Sequence, residues 1–258
     1  MTAIQNQNSH NDLSTATYGQ TRHRDYDMAI LPWGATEPHN LHLPYLTDCI
    51  LSHAVAADAA DAAHEKYGIE CMVLPPVAMG AQNPGQRDLK FCIHYRYETQ
   101  KAILTDIVSS LHHQGLRRLL IVNGHGGNSF KPMIRDLAVD FPDMTIAVSD
   151  WFTVLPARDW FERPGDHADE LETSVMMHYH PDLVDLSTAG SGASRPFAAE
   201  SLQRKTAWIP RHWLKVSDDT GIGDPSLSTA EKGAAYVSAV AGLYADLIRD
   251  LVRGPIYS

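Results

Sequence analysis

What the chain lacks narrows its function first. It has three cysteines in 258 residues, Cys49, Cys71 and Cys92. An odd count with no ligand-like spacing excludes a disulfide scaffold and a cysteine zinc site, and leaves free thiols in a reducing, cytoplasmic setting as the expectation. Basic residues are few, 21 Lys and Arg against 31 Asp and Glu, for a formal net charge of -10. No lysine or arginine run offsets this. Nucleic acid and anionic membrane surfaces are therefore not the expected partners, because phosphates need a basic face. No segment approaches the ~20 apolar residues of a membrane span. The opening MTAIQNQNSHNDLSTATYGQ has neither a basic start nor an apolar run, so it does not read as a secretory signal. Residues 1–24 are expected to form a polar lead-in, and residues 25–258 a single domain.

What is present is an α/β pattern. Hydrophobic residues make up 44% of the chain, enough for a real core. Short apolar runs at 27–33, 69–77, 118–123 and 144–150 read as buried strands. Between and after them, helical spacing covers 49–67, 97–114, 130–141, 170–179 and 228–252. Strands alternating with helices imply a three-layer α/β/α fold around a mostly parallel sheet. Residues 187–226 are rich in Gly, Pro, Ser and Trp and read as an irregular excursion, a lid or a contact between copies.

In open α/β sheets, ligands gather at the carboxyl ends of the strands. Four polar clusters fall at that edge. The first is EPHNLHLPYLTD, with Glu37, His39 and Asp48. Two residues apart in an extended loop, Glu37 and His39 face opposite ways and need not share an ion. They can flank two ions with Asp48 between them, a recurrent device for hydrolysis. Thr47 is a candidate cap for the helix that follows. The second cluster is NGHGGN, residues 123–128, which offers His125. Glycines 124, 126 and 127 are expected there for backbone angles closed to other residues, with Asn123 and Asn128 fixing the turn. The third is Ser149, Asp150 and Trp151; Trp151 is either a core aromatic or a flat surface for a ring substrate. The fourth is DHADELETS, residues 166–174, at a helix start where acidic residues are also favoured by the helix dipole. Here His167 is the candidate proton carrier and Glu172 the candidate ligand with a further catalytic part. His42 and His53 read as packing residues.

Taken together these motifs resemble the creatininase (creatinine amidohydrolase) family. LPWGATEPHNLHLPYLTD, NGHGGN, HADELETS and GDPSLSTAEKG, residues 223–233, match its blocks in order over about residues 28–250. The resemblance implies two divalent metal ions per chain, zinc, manganese or iron, and a homo-oligomer, often hexameric. It implies Glu37 and His125 on one ion, His39 on the other, Asp48 between them, and His167 as the catalytic histidine. Trp151 matches an active-site tryptophan of creatininase itself. Two departures stand out. Creatininase has Tyr-Glu directly after the motif's histidine, where this chain has Gly126 and Gly127; Glu172 is then the candidate for the missing carboxylate. The family's Phe-Pro-Gly-Thr segment is replaced by GQRDLKFCIHYRYET, residues 85–99. Gln86 and His94 become candidate substrate contacts, and with Asn40, His42 and Arg87 they suggest a polar pocket. The expected activity is hydrolysis of a small cyclic amide or related amide. The alternative is C–C opening of a keto-inositol (dehydro-inosose) ring.

Overall fold

The computed structural model describes residues 11–258. Four strands, β1 (Met28–Trp33), β2 (Cys71–Val73), β3 (Arg118–Asn123) and β4 (Thr145–Asp150), form one sheet in the order β2-β1-β3-β4. Every pairing is parallel. Eight α-helices accompany them among the described residues. Five are substantial: α2 (Thr47–Tyr67), α3 (Tyr97–His113), α4 (Lys131–Asp140), α5 (Glu170–Tyr179) and α8 (Ala230–Arg253). The other three are single turns: α1 (Tyr18–Thr21), α6 (Glu200–Gln203) and α7 (Trp213–Val216).

The three layers follow from the strand alternation. In β1, Met28 and Ile30 point to the face covered by α2, α5 and α8, while Ala29, Leu31 and Trp33 point to the face covered by α3 and α4. Strands buried on both faces read as continuous apolar runs, which is why MAILPW has no polar position. β4 lies at the sheet's edge and is only half-buried. No helix among the described residues is long and apolar enough to cross a membrane.

Several boundaries differ from the sequence expectation for physical reasons. Residues 69–77 shrink to Cys71–Val73, because Pro75 and Pro76 have no N–H to continue the ladder. Val77 then rejoins by a single bridge to Trp33. Thr47 does not cap α2. It is the first helical residue, its hydroxyl donates to the Pro44 carbonyl, and the cap position belongs to Leu46. At the far end Gly68 stops α2 in the left-handed conformation, at φ 61°. α8 begins behind Thr229, whose Oγ1 accepts from Lys232 N. The described part of the lead-in is tied down: Val73 N donates to Asn11 O, and Leu13 N donates to Val73 O.

The all-parallel sheet sends every strand's carboxyl end to one edge. Trp33 pairs with Asn123, and Asn123 with Asp150, so the loops after β1, β3 and β4 leave from one level.

Candidate metal centre

The loop after β1 folds back on itself. Glu37 N donates to Tyr45 O, His39 bridges Leu43, and Asn40 takes the turn at φ 53°. Asparagine tolerates this region because its side chain bonds the adjacent backbone. Here Asn40 Oδ1 accepts from Leu41 N at 2.7 Å. Asp48 enters from the first turn of α2, where the helix dipole favours a carboxylate. His125 comes from the loop after β3, and His167 and Glu172 from the start of α5.

These side chains converge on Asp48. Its Oδ1 lies 2.9 Å from His39 Nε2, and its Oδ2 lies 3.2 Å from His125 Nδ1. His125 Nδ1 is also 2.9 Å from Glu37 Oε1. Two three-residue groups result, Glu37–Asp48–His125 and His39–Asp48–Glu172, each with ligand atoms within 4.8 Å of one another. They share Asp48. A third combination, Glu37–His39–His167, meets the same distance. Glu37, His39, Asp48, His125 and His167 are all buried.

The hydrogens on the rings can be assigned from their partners. His39 Nδ1 lies 3.0 Å from the Glu37 carbonyl, and His125 Nε2 lies 2.7 Å from the Ala81 carbonyl. A carbonyl oxygen only accepts, so these nitrogens carry the hydrogens. In a neutral ring, His39 Nε2 and His125 Nδ1 are then bare lone pairs aimed at carboxylate oxygens. Asp48 Oδ2 is itself buried and accepts no hydrogen bond. Lone pair facing lone pair is repulsive unless positive charge stands between them. A divalent cation would supply that charge, and carbonyl-anchored imidazoles with carboxylates are a donor set that suits zinc, manganese or iron.

Without an ion, protons on the rings supply the charge. Burial works to lower the His39 pKa, but Asp48, Glu172 and Glu37 together outweigh it and raise the ring to about 9. Burial opposes His125 in the same way, and Glu37 and Asp48 lift it well above its ordinary value. Burial drives Glu172 up to about 8. His167 moves the other way: burial and the neighbouring His39 hold it below its ordinary value. His167 Nε2 donates to the Pro38 carbonyl at 2.9 Å, which leaves Nδ1 as its free nitrogen, 3.7 Å from Glu37 Oε1. Its ring lies 4.3 Å from that of His39 and edge-on to Trp213.

The other acidic residues of DHADELETS divide the structural work. Asp169 caps α5 by accepting from Glu172 N and Gly165 N. Glu170 is fully buried and accepts from Lys232 Nζ at 2.6 Å. Glu172 Oε2 accepts from Ala168 N, which points its carboxyl back to the site.

Glycines in NGHGGN serve a different purpose from the one expected. Glycines 124, 126 and 127 do not adopt positive φ. A Cβ on Gly124 would lie 2.4 Å from Asp48 O, and one on Gly127 would lie 2.1 Å from Ala81 O and 2.5 Å from His125 Nε2. Gly124 and Gly127 are glycines because neighbouring chain passes where a methyl would be, whereas a methyl on Gly126 would meet nothing within 4 Å. Asn123 does fix the turn, with Nδ2 donating to His125 O at 2.8 Å and Oδ1 accepting from His125 N. Asn128 Oδ1 ties the loop to Ala81 N.

A cavity of about 460 Å³ opens over the cluster, with Glu37, Asp48, His125, His167 and Glu172 in its wall. Gln86 also reaches the wall. Trp151 does not: it is fully buried in the core beside Phe152 and Tyr236. His94 is half-buried outside the cavity, its Nδ1 taken by Gln82 N. Asn40 is bound to Gly190, and His42 to Thr173, so neither makes the pocket polar. Burial and His39 push His42 down to about 4, which keeps it neutral. The aromatic wall comes instead from the 187–226 excursion, through Trp208 and Trp213, with Ile209 and Arg211 between them. Only the tryptophans there hinted at this in the sequence.

A family model described as Creatininase: Creatinine amidohydrolase matches residues 11–248. The chain belongs to the creatininase family. Family membership makes it a hydrolase. The crystal structure of a candidate creatinine amidohydrolase from Bacteroides fragilis NCTC 9343 superposes with a TM-score of 0.95 at 57% identity, covering 96% of this chain and 99% of that one. A mycofactocin precursor peptide peptidase from Mycobacterium ulcerans (strain Agy99) is 29% identical over 93% of this chain and 89% of its own length. A 3-dehydro-scyllo-inosose hydrolase from Thermotoga maritima is 26% identical over 93% and 83%. A zinc–zinc creatininase variant shares the fold, at a TM-score of 0.75 and 22% identity over 94% of this chain and 98% of that one.

Proposed function

We propose that the chain is a hydrolase that binds two divalent metal ions and cleaves the C–N bond of an amide. One observation carries this reading: Asp48 is shared by two complete three-residue groups, each with a carbonyl-anchored histidine facing it. Glu37, His125 and Asp48 would hold one ion, and His39, Glu172 and Asp48 the other. Zinc and manganese both suit this donor set. When bound, such ions lower the pKa of water and polarise a carbonyl.

The chain's own residues supply the rest. Pro38 O orients the His167 ring through Nε2, so that Nδ1 is left toward Glu37 Oε1, and both residues line the cavity. A ring held below its ordinary pKa is neutral near neutral pH, so Nδ1 can take the proton released as water adds to the carbonyl. It then returns that proton to the leaving nitrogen, and acid and amine depart. The wall of Trp208, Ile209 and Trp213 offers an apolar surface to the substrate's remaining body. The Mycobacterium ulcerans relative is named a peptide peptidase, and peptide cleavage is also amide hydrolysis, which favours C–N over C–C. The inosose hydrolase supports ring-opening of a keto-inositol as the second reading.

The test is elemental analysis of the purified protein, with release of amine measured over a panel of cyclic amides and short peptides. About two transition ions per chain and amine release are expected. Fewer than one ion per chain after zinc or manganese is added overturns the reading. Turnover of a keto-inositol without any amide cleavage moves the chain to the second reading. The homo-oligomer implied by the family is read from sedimentation of the same sample.

A further inference from the structure

Glu37 has two carboxylate oxygens, and they face different partners. Oε1 lies 2.9 Å from His125 Nδ1. Oε2 accepts from Gln86 Nε2 at 2.5 Å. Both residues are buried, Glu37 at 1% and Gln86 at 1% exposure. The orientation of the Gln86 amide is fixed by its other end, because Oε1 accepts from Asn83 N at 2.6 Å. A backbone N–H only donates, so the oxygen must face Asn83 and the NH2 must face Glu37.

The turn that presents Gln86 is built for this. Residues Gln86–Asp88 form a single 3-10 turn entered through Gly85 at φ 87°. A Cβ on Gly85 would meet the His212 ring at 2.8 Å, so both the angle and the space demand glycine. Trp213 N donates to Pro84 O at 2.7 Å and pins the turn against the excursion. Buried carboxylates cost free energy unless each oxygen is satisfied. Gln86 satisfies one oxygen of Glu37 and leaves the other for the cluster.

We infer that Gln86 is a positioning residue: it holds Glu37 so that only Oε1 is offered to the ion shared with His125. The inference rests on the two-ion reading of the site. It reassigns Gln86 from substrate contact to support of a ligand, since its carbonyl oxygen and an amide hydrogen are already engaged within the protein. Partners of this kind are worth roughly 10–100-fold in metal affinity.

The experiment is titration of the metal-free full chain with zinc ion against a competing chelator, for wild type, Gln86→Met and Gln86→Glu. Gln86→Met keeps the length and removes the donor; Gln86→Glu keeps the shape and sets a carboxylate against Glu37. Wild type is expected to bind two ions. Both variants are expected to bind one ion unchanged and the other about 10–100-fold more weakly. In Glu37→Gln, adding Gln86→Met is expected to weaken that ion no further, because the two residues act through one bond. Two ions bound at wild-type affinity by both variants overturns the inference, and a raised KM at that unchanged affinity returns Gln86 to the substrate. Equal weakening of both ions also overturns it, as a general loosening of the fold. Should one variant fail to fold, the other decides. Wild type that binds no second ion fails the two-ion reading itself, a result separate from any difference between the variants.

Discussion

The loops that carry the buried cluster and the excursion at residues 187–226 border the same cavity but are built on different principles. The loops after β1 and β3 leave parallel strands at one level, and close packing against neighbouring backbone holds them together with the Asn123 and Asn128 side chains. Gly124 and Gly127 are packed against Asp48 O and Ala81 O. The excursion has no strand, and its helices are single turns. It is held by side chains bonding backbone: Asn40 with Gly190, Asp219 accepting from Gly192 N and Gly221 N, and Arg195 reaching Lys215 O. Chemistry that depends on charges within 3 Å of one another needs the first kind of support. A wall that selects a substrate can be made of the second.

The comparison can be broken at several points. The largest effect is expected from His125→Ala. Activity should fall by well over the roughly 100-fold that loss of a ligand's hydrogen-bond partner costs, and metal content should drop with it. Circular dichroism should stay native, and full activity in this variant would remove the metal centre from the mechanism. Next comes His167→Ala, expected to keep both ions and lose about 10²–10⁴-fold in kcat. An unchanged kcat would take His167 out of proton transfer.

A sharper probe compares two neighbouring glycines. Gly127→Ala places a methyl against Ala81 O and should cost about 1–3 kcal/mol in chemical denaturation, with weaker zinc binding. Gly126→Ala meets nothing within 4 Å and should be close to neutral. Equal effects would mean that close packing is not what requires glycine in this loop. The smallest stability change is expected in the excursion. Trp208 is 82% exposed, so Trp208→Ala should alter stability by less than about 0.5 kcal/mol while raising KM. A large loss of stability there would show the excursion to be part of the folding core.

The sequence made the first region legible and left the second obscure. A parallel sheet concentrates polar residues at one edge, so Glu37, His39, Asp48, His125 and Glu172 could be picked out by their place after strands or at a helix start. The α/β alternation was readable for the same reason, since buried strands such as RLLIVN tolerate no polar break. Trp151 was ambiguous because a tryptophan after a strand serves core and cavity equally well, and here Phe152 and Tyr236 draw it into the core. Asn40 looked like a pocket residue because nothing in one dimension reveals that Gly190 meets it, while His42, read both as packing and as a pocket residue, packs against Thr173. The reason for Gly127 was equally hidden: a carbonyl 46 residues earlier in the chain, on Ala81, excludes a side chain there.

Asp48 sits in the first turn of a 21-residue helix, whereas Glu37 and His39 sit on a loop. One residue added inside α2 after Asp48 would swing its carboxylate by about 100° around the helix axis, relative to the packed remainder of the helix, and out of the cluster. One residue added at 43–46, before the helix begins, would leave that angle untouched. The aspartate's direction is thus set by its distance to the packed end of its own helix rather than by its distance from the histidine.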